Sequence, residues 1–413
     1  MTAVSPPQTP HKRGLRALLA SVTVSSLGDG VFLAATPLAA ALITRSPAAV
    51  AAVSVAEFLP WLLVTPVAGA LVDRWPHRTV MIVADIARAT MLGILALLVA
   101  ADAASVPVLA LAAAAVMIGT TFHDTASQTV VPALAGRDAD ELNRANGRIS
   151  AANIASKELI GPPVGSIAFG LVPWLPFLAD AVSFLGSAAL LTALPREPRT
   201  RDSRTTESLM RSIRTGVTWL AHQRTLRAMC TLITVGNLAY SAALATFVLF
   251  AQDILGLEPL GFGLLLAAGA VGGIIGGFAA SWAIRTIGDT GALLAAMLAQ
   301  VAAFAGLVVT TNPWIAGLEL GLASVGTAVA TVVAISTRQR LTPPEMLGRV
   351  TAAFRTFGVG ALPLGAAIGG TVASAWGLHA PFILAAAVLT AATLAWPLLS
   401  RGDMSVPGSP HAG

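Results

Sequence analysis

The chain has 413 residues, of which 55% are hydrophobic and only 11% charged, with a mean hydropathy of +0.78. No water-facing fold can hide that much apolar surface, so lipid is the expected solvent and the soluble function classes are excluded. The formal charge of +5 and pI near 10.5 raise nucleic acid or an anionic membrane surface as partners, and the placement of the basic residues decides between them.

A bilayer-crossing helix needs about 20 mostly apolar residues. Stretches of that length are predicted at 16–41, 48–72, 79–101, 107–131, 147–171 and 175–195, and after a polar interval at 227–251, 259–284, 290–310, 314–336, 351–375 and 379–400. The expected organisation is a short tail at 1–15, a six-helix bundle at 16–195, a basic connector at 196–226, a second six-helix bundle at 227–400 and a tail at 401–413. Span 1 is followed by many similar stretches and is expected to stay in place rather than act as a cleaved signal.

With both termini in the cytoplasm, 23 of the 25 Lys and Arg residues fall at inner ends or inner loops. Arg45 lies outside and Lys157 within a span. That asymmetry follows the positive-inside rule, and one missed helix would scramble it. Trp174, Trp314 and Trp376 fall at outer ends and Trp75, Trp282 and Trp396 at inner ends, as an aromatic belt requires. The connector carries eight arginines from Arg196 to Arg227, and Leu209, Ile213, Val217 and Leu220 predict an amphipathic helix over 208–227 lying along the inner surface. The basic residues therefore follow membrane topology, and no nucleic-acid partner is expected.

Cys230, the single cysteine, cannot form an internal disulfide, and no metal-ligand spacing occurs near it. No metal or cofactor is expected. Arginine outnumbers lysine 23 to 2 in an alanine-rich chain, which suggests a GC-rich bacterial genome and an inner-membrane location.

The run Gly147-Arg148-Ile149-Ser150-Ala151-Ala152 opening span 5 returns as Gly348-Arg349-Val350-Thr351-Ala352-Ala353 opening span 11, with Pro162 and Pro363 in equivalent places. Duplicated halves are a known transporter design. The expected fold is an all-α membrane protein of twelve transmembrane helices, in two six-helix pseudo-symmetric bundles around a central cavity. In the loop between spans 2 and 3, Gly69-Ala70-Leu71-Val72-Asp73-Arg74 continues to Arg78 and matches the G-x-x-x-D-R-x-G-R-R pattern of the major facilitator superfamily. The chain resembles that family over essentially its full length. Pro76 replaces the pattern's glycine and His77 a basic residue, while the loop from Gly277 through Arg285 to Gly288 lacks the acid altogether. Asp73 is expected to latch the halves on the inside against the start of span 11, where Arg349 and Arg355 lie, with Asp85 and Arg88 at the start of span 3 extending the latch.

Gly161-Pro162-Pro163-Val164-Gly165 in span 5 is similar to the family's antiporter motif G-P-x-x-G-G, with Ser166 in place of the last glycine. Small residues allow close helix packing and prolines bend the span. Together with the runs before spans 5 and 11, the pattern looks most like the branch containing siderophore and macrolide efflux proteins.

Charges inside hydrocarbon cost at least about 2.5 to 3.5 kcal/mol each, so intramembrane ionisable residues are candidate sites. Asp29, flanked by Gly28 and Gly30, is the first candidate for carrying a proton, with Glu57 in span 2 and Asp124 beside His123 in span 4. Its glycines imply either a local bend or the close approach of a ligand. Lys157 and Glu158 are adjacent in span 5 and point apart, so Lys157 is expected to pair with an acid on span 1, 2 or 4. Asp180 and Glu319 are expected at the membrane interface, and Asn237 and Tyr240 either line the cavity or bond a neighbouring helix. The resulting expectation is a monomeric, proton-gradient-driven exporter of a small hydrophobic or amphipathic compound. A nutrient importer is the alternative, and a membrane enzyme the last choice, since no catalytic motif is present.

Overall fold

The computed structural model describes residues 9–72, 74–135, 139–195 and 209–400. Asp73, Arg137 and the arginines at 196, 199, 201 and 204 lie outside the described residues. Among the described residues there are helices and no strands.

The first half is built from α1 (Thr9–Ile43), α2 (Pro47–Val72), α3 (His77–Ala100), α4 (Val106–Ala135), α5 (Ala139–Asn153), a π-helical segment (Ile154–Ile160), α6 (Gly161–Leu171) and α7 (Leu175–Leu191). After α8 (Leu209–His222) come α9 (Arg224–Leu244), α10 (Phe247–Asp253), α11 (Pro259–Val309), α12 (Pro313–Leu341), α13 (Pro344–Trp376) and α14 (Ala380–Ser400).

Nine of these helical stretches, among the described residues, are long and apolar enough to cross a membrane. The difference from twelve has three causes. The α11 run of 51 residues would be about 76 Å long if straight, more than twice the hydrocarbon thickness, and it is interrupted at Gly288 (φ 72, ψ 172). It therefore carries spans 8 and 9, with the break at a residue that adopts positive φ without a Cβ clash. Span 6 is the shorter apolar helix α7. Span 5 is divided between α5, the π segment and α6, because Pro162 and Pro163 supply no N–H donors. The helix widens before them, and the Gly161 N–H donates to the Ser156 carbonyl five residues back. Span 11 keeps its equivalent Pro363 inside a continuous α13, so the two repeats diverge here.

Local signals account for the ends. Asn312 caps α12 by accepting from the Trp314 and Ile315 amides, ahead of Pro313 at the first turn. Gly377 (φ 88) stops α13. Arg78, at the start of α3, donates to the Thr192 carbonyl at 2.6 Å and so covers the carboxyl end of α7.

Contacts divide the chain into two compact units, one comprising 1–203 with 248–270 and the other 204–247 with 271–413. In the first, α1 packs on α6 and α7, α2 on α4, and α3 on both α4 and α7. Leu18, Val72, Met81, Val130, Ala145 and Leu191 belong to one apolar cluster that ties α1, α2, α3, α4, α5 and α7 together. In the second unit α13 packs along α9, which also receives α14, while α8 lies on α13. Of the expected aromatic belt, Trp75, Trp282, Trp314 and Trp376 are exposed, but Trp396 is buried within its unit and does not serve as a surface anchor.

Candidate functional site

The first unit concentrates ionisable side chains where α1, α3, α4 and α7 meet. Arg88 and Asp85 stand one turn apart on α3, and both are buried, at 1% and 0% exposure. They form a direct ion pair. The latch expected of them fails for a geometric reason: they lie roughly 12 to 17 Å along α3 from its first residue and face the neighbouring helices.

Arg88 is held from several sides. Its Nη1 donates to the Thr120 hydroxyl of α4 at 3.1 Å and lies 3.8 Å from Asp29 Oδ1 of α1. Its guanidinium sits 3.9 Å above the Phe184 ring of α7, a cation–π contact worth about 2 kcal/mol once desolvated. Room for its stem comes from Gly119, where an added Cβ would meet Arg88 Cγ. Asp85 is fixed in turn: the Ser187 hydroxyl donates to its Oδ2 at 2.6 Å, and Ser187 shares a 2.8 Å hydrogen bond with Ser21 of α1.

His123 of α4 extends the array. Its Nε2 is 3.7 Å from Asp85 Oδ1 and its Nδ1 is 3.6 Å from Asp124 Oδ1. Both separations are longer than a hydrogen bond and within ion-pair range. The result is a continuous sequence of groups, Asp29, Arg88, Asp85, His123 and Asp124, running from a mostly buried carboxyl (14% exposed) to a half-open one (49%). Lys157 of the π segment is half-buried and within electrostatic reach of Asp29, Asp124, Glu57 and Glu158. Glu57 is half-buried on α2 and Glu158 is exposed.

The glycines beside Asp29 serve helix packing rather than a ligand. A Cβ on Gly28 would collide with the Asp180 carboxyl and the Ser183 hydroxyl of α7. One on Gly30 would collide with the Lys157 carbonyl and lie 2.9 Å from Gly161 Cα. Gly165 is pressed against the Val31 backbone in the same way, and a Cβ on Gly263 would lie 2.5 Å from the Ser166 hydroxyl and 2.7 Å from the Pro162 carbonyl. The motif from Gly161 to Ser166 is thus a contact surface for α1 and for the start of α11.

Several expected positions fall elsewhere. Asp180 is fully buried, receives the Ser183 hydroxyl at 3.0 Å and leaves its Oδ2 without a hydrogen bond among the described residues, so it is no interfacial group. The Glu319 carboxylate packs against Gly306, within the second unit. Asn237 donates to the Gly358 carbonyl of α13 at 2.9 Å, which makes it a helix-to-helix tie, and Tyr240 lies half-buried one turn further along α9. Gly69 has open space around it and Arg74 is exposed. Arg349 is half-buried and Arg355 exposed near the start of α13. One acid escaped notice in the second-half loop: Asp289 directly follows Gly288 and pairs with Arg340, beside a cavity of about 400 Å³ lined by Ser281, Ser336 and Gln339.

Residues 18–359 match the model of the Major Facilitator Superfamily. The chain belongs to that superfamily. It is similar to the multidrug efflux pump Tap of Mycolicibacterium fortuitum, 27% identical over 96% of each chain, and to Tap of Mycobacterium tuberculosis, 27% identical over 94% of this chain and 92% of the relative. Among solved structures, the nucleoside transporter NupG superposes with a TM-score of 0.74 at 12% identity, covering 96% of this chain and all of that one. A bacterial homologue of the human lysosomal transporter Spinster reaches 0.75 at 15% identity, covering 98% and 100%. At those identities the likeness is one of fold. This superfamily member is accordingly a multi-pass membrane transport protein, whose relatives and fold neighbours are transporters rather than enzymes.

Proposed function

We propose that the chain exports a small hydrophobic or amphipathic compound, such as a drug, secondary metabolite or siderophore, in exchange for protons. The observation that carries the coupling reading is Arg88 standing between the carboxylates of Asp85 and Asp29, with His123 continuing the array to Asp124. A cation shared by two acids is bistable: when Asp29 takes a proton its claim on Arg88 vanishes, and the guanidinium turns wholly to Asp85. Such a change favours whichever conformation accommodates the new arrangement, and that difference in free energy is what drives an alternating-access cycle. Glu57, Lys157 and Glu158 supply further charges from which substrate contacts are drawn. Export, rather than import, draws support from the full-length similarity to Tap and from the Gly161, Pro162 and Gly165 packing motif.

In this reading the protein sits in a bacterial inner membrane as a monomer, with both termini cytoplasmic and halves at 16–195 and 227–400. The motif residues Gly69, Asp73, Arg74 and Arg78 serve in this reading as the conformational latch, with Arg349 or Arg355 as the basic partner of Asp73. The test is flux direction in everted vesicles and whole cells, with ethidium and uncharged dyes as probes. Dye depletion from cells, and collapse of transport when the pH gradient is dissipated, are expected. Accumulation in cells on expression overturns export, and transport indifferent to the pH gradient overturns proton coupling.

A further inference from the structure

Most of the charges where α1, α3, α4 and α7 meet are already engaged: Asp29 and Asp85 share Arg88, and His123 stands between Asp85 and Asp124. Lys157 of the π segment and Glu57 of α2 stand apart from these pairs. Both are half-buried, and neither makes a hydrogen bond or a contact ion pair with any described residue. They are nevertheless within electrostatic reach of each other. The field at Lys157 also includes Asp29, Asp124 and Glu158, and the field at Glu57 includes Asp29. The two side chains therefore stand on one charged space, not on opposite surfaces of the unit. Glu158 follows Lys157 directly, points about 100 degrees away and is exposed, while Asp180 is fully buried against Gly28. The main chain holds the gap open. The Lys157 carbonyl is clamped on α1 at Gly30, where an added Cβ would lie 2.3 Å from it, and Gly161 meets the same glycine. Nor can the ammonium escape to water, since Lys157 lies at least about 15 Å from either end of span 5, too far for its stem to snorkel. An ionisable group at that depth marks a place of use.

We propose that Lys157 and Glu57 together select amphoteric compounds, which carry an ionised acidic group and a cationic group on one hydrophobic body. An ammonium offers only donors and a carboxylate only acceptors. Held apart in apolar surroundings, each is an expensive charge, and a ligand with the opposite sign at each end compensates both at once. A simple cation satisfies Glu57 or Asp124 but leaves Lys157 opposing it with like charge. A simple anion satisfies Lys157 but is opposed by Glu57, Asp124 and Asp29, which outnumber that lysine. Each of the two simpler ligand classes is thus met by a repulsive group, which is how a site discriminates as well as binds. The inference deepens the proposed function by naming the substrate class. It rests on that reading for the entry of a transported compound into this unit, and on neither the direction of transport nor the proton.

The test is dye binding by the full-length protein purified in detergent, followed by fluorescence anisotropy. The probes are a rhodamine with a free carboxylate and its methyl ester, which share the same delocalised cation. Tighter binding of the free acid by the wild-type chain is expected. Lys157→Gln is expected to reduce that preference several-fold, and Lys157→Arg, which keeps the charge, to restore it. Glu57→Gln is expected to weaken both probes and leave their ratio in place. A wild-type chain that does not prefer the free acid overturns the proposal. So does a preference that survives in Lys157→Gln, is lost in Lys157→Arg as well, or vanishes in Glu57→Gln. No gradient enters these measurements. A chain that shows the preference but fails the flux tests loses the export or coupling reading alone, and one that depletes dye without the preference loses this inference alone.

Discussion

The Asp180 carboxyl rests against the Cα of Gly28, one residue before Asp29, at a distance that leaves no room for a methyl group. This contact joins α7 to α1 at the point where α1 offers its acid to Arg88. Replacing Gly28 by leucine must push the helices apart or displace Asp180, an overpacking that costs about 1 to 3 kcal/mol. Thermal unfolding in detergent is expected to fall by several degrees, with a smaller loss for Gly28→Ala. Unchanged melting of Gly28→Leu would show that the helices do not meet here.

Breaking one side of the Asp85 and Arg88 pair leaves a buried charge uncompensated, at a cost of about 3 to 5 kcal/mol. Arg88→Met and Asp85→Asn are each expected to lower stability strongly. The double variant is expected to recover much of the loss, since removing both charges also removes the desolvation penalty. Transport should stay lost in all three. A double-mutant cycle on stability, with turnover measured alongside, checks both parts.

Asp29→Asn removes a charge from a group whose ion-pair separation to Arg88 is longer and whose exposure is greater, so folding should change little. Insertion and melting close to wild type are expected, together with loss of pH-gradient-driven dye efflux. Counterflow exchange at equal pH, which needs no net proton movement, is expected to survive. Efflux that still responds fully to the pH gradient would remove Asp29 from the coupling role.

The Asp289 and Arg340 pair is more open, with side chains 30% and 57% exposed. Solvent screening reduces such pairs to at most about 1 kcal/mol. Arg340→Gln should therefore alter melting by only a degree or two, and the difference should shrink further in high salt. A large loss of stability would mean that the pair closes the turn at Gly288.

The membrane nature of the protein and its many apolar helices were legible in the sequence, because both depend on composition over about 20 residues and not on neighbours. So were Asp29 and Asp124 as expensive charges in apolar surroundings, and the small residues of the Gly161 motif as packing elements. Arg88 and Asp85 read from the sequence as an extension of the inner latch at the start of span 3, because their nearness to a basic turn hides that both are buried among α1, α4 and α7. The adjacent His123 and Asp124 were a visible signal for the rest of the array. Nothing local, however, tells which face of α3 turns toward α4. Likewise the burial of Asp180, the tie from Asn237 to Gly358 and the pairing of Asp289 with Arg340 join residues from 51 to 121 positions apart, or helices whose rotation is set by how they pack. Apolar length by itself determined that the chain crosses a membrane many times. Helix rotation and crossing, which arise only when glycine faces bring backbones together, decided which of its charges meet.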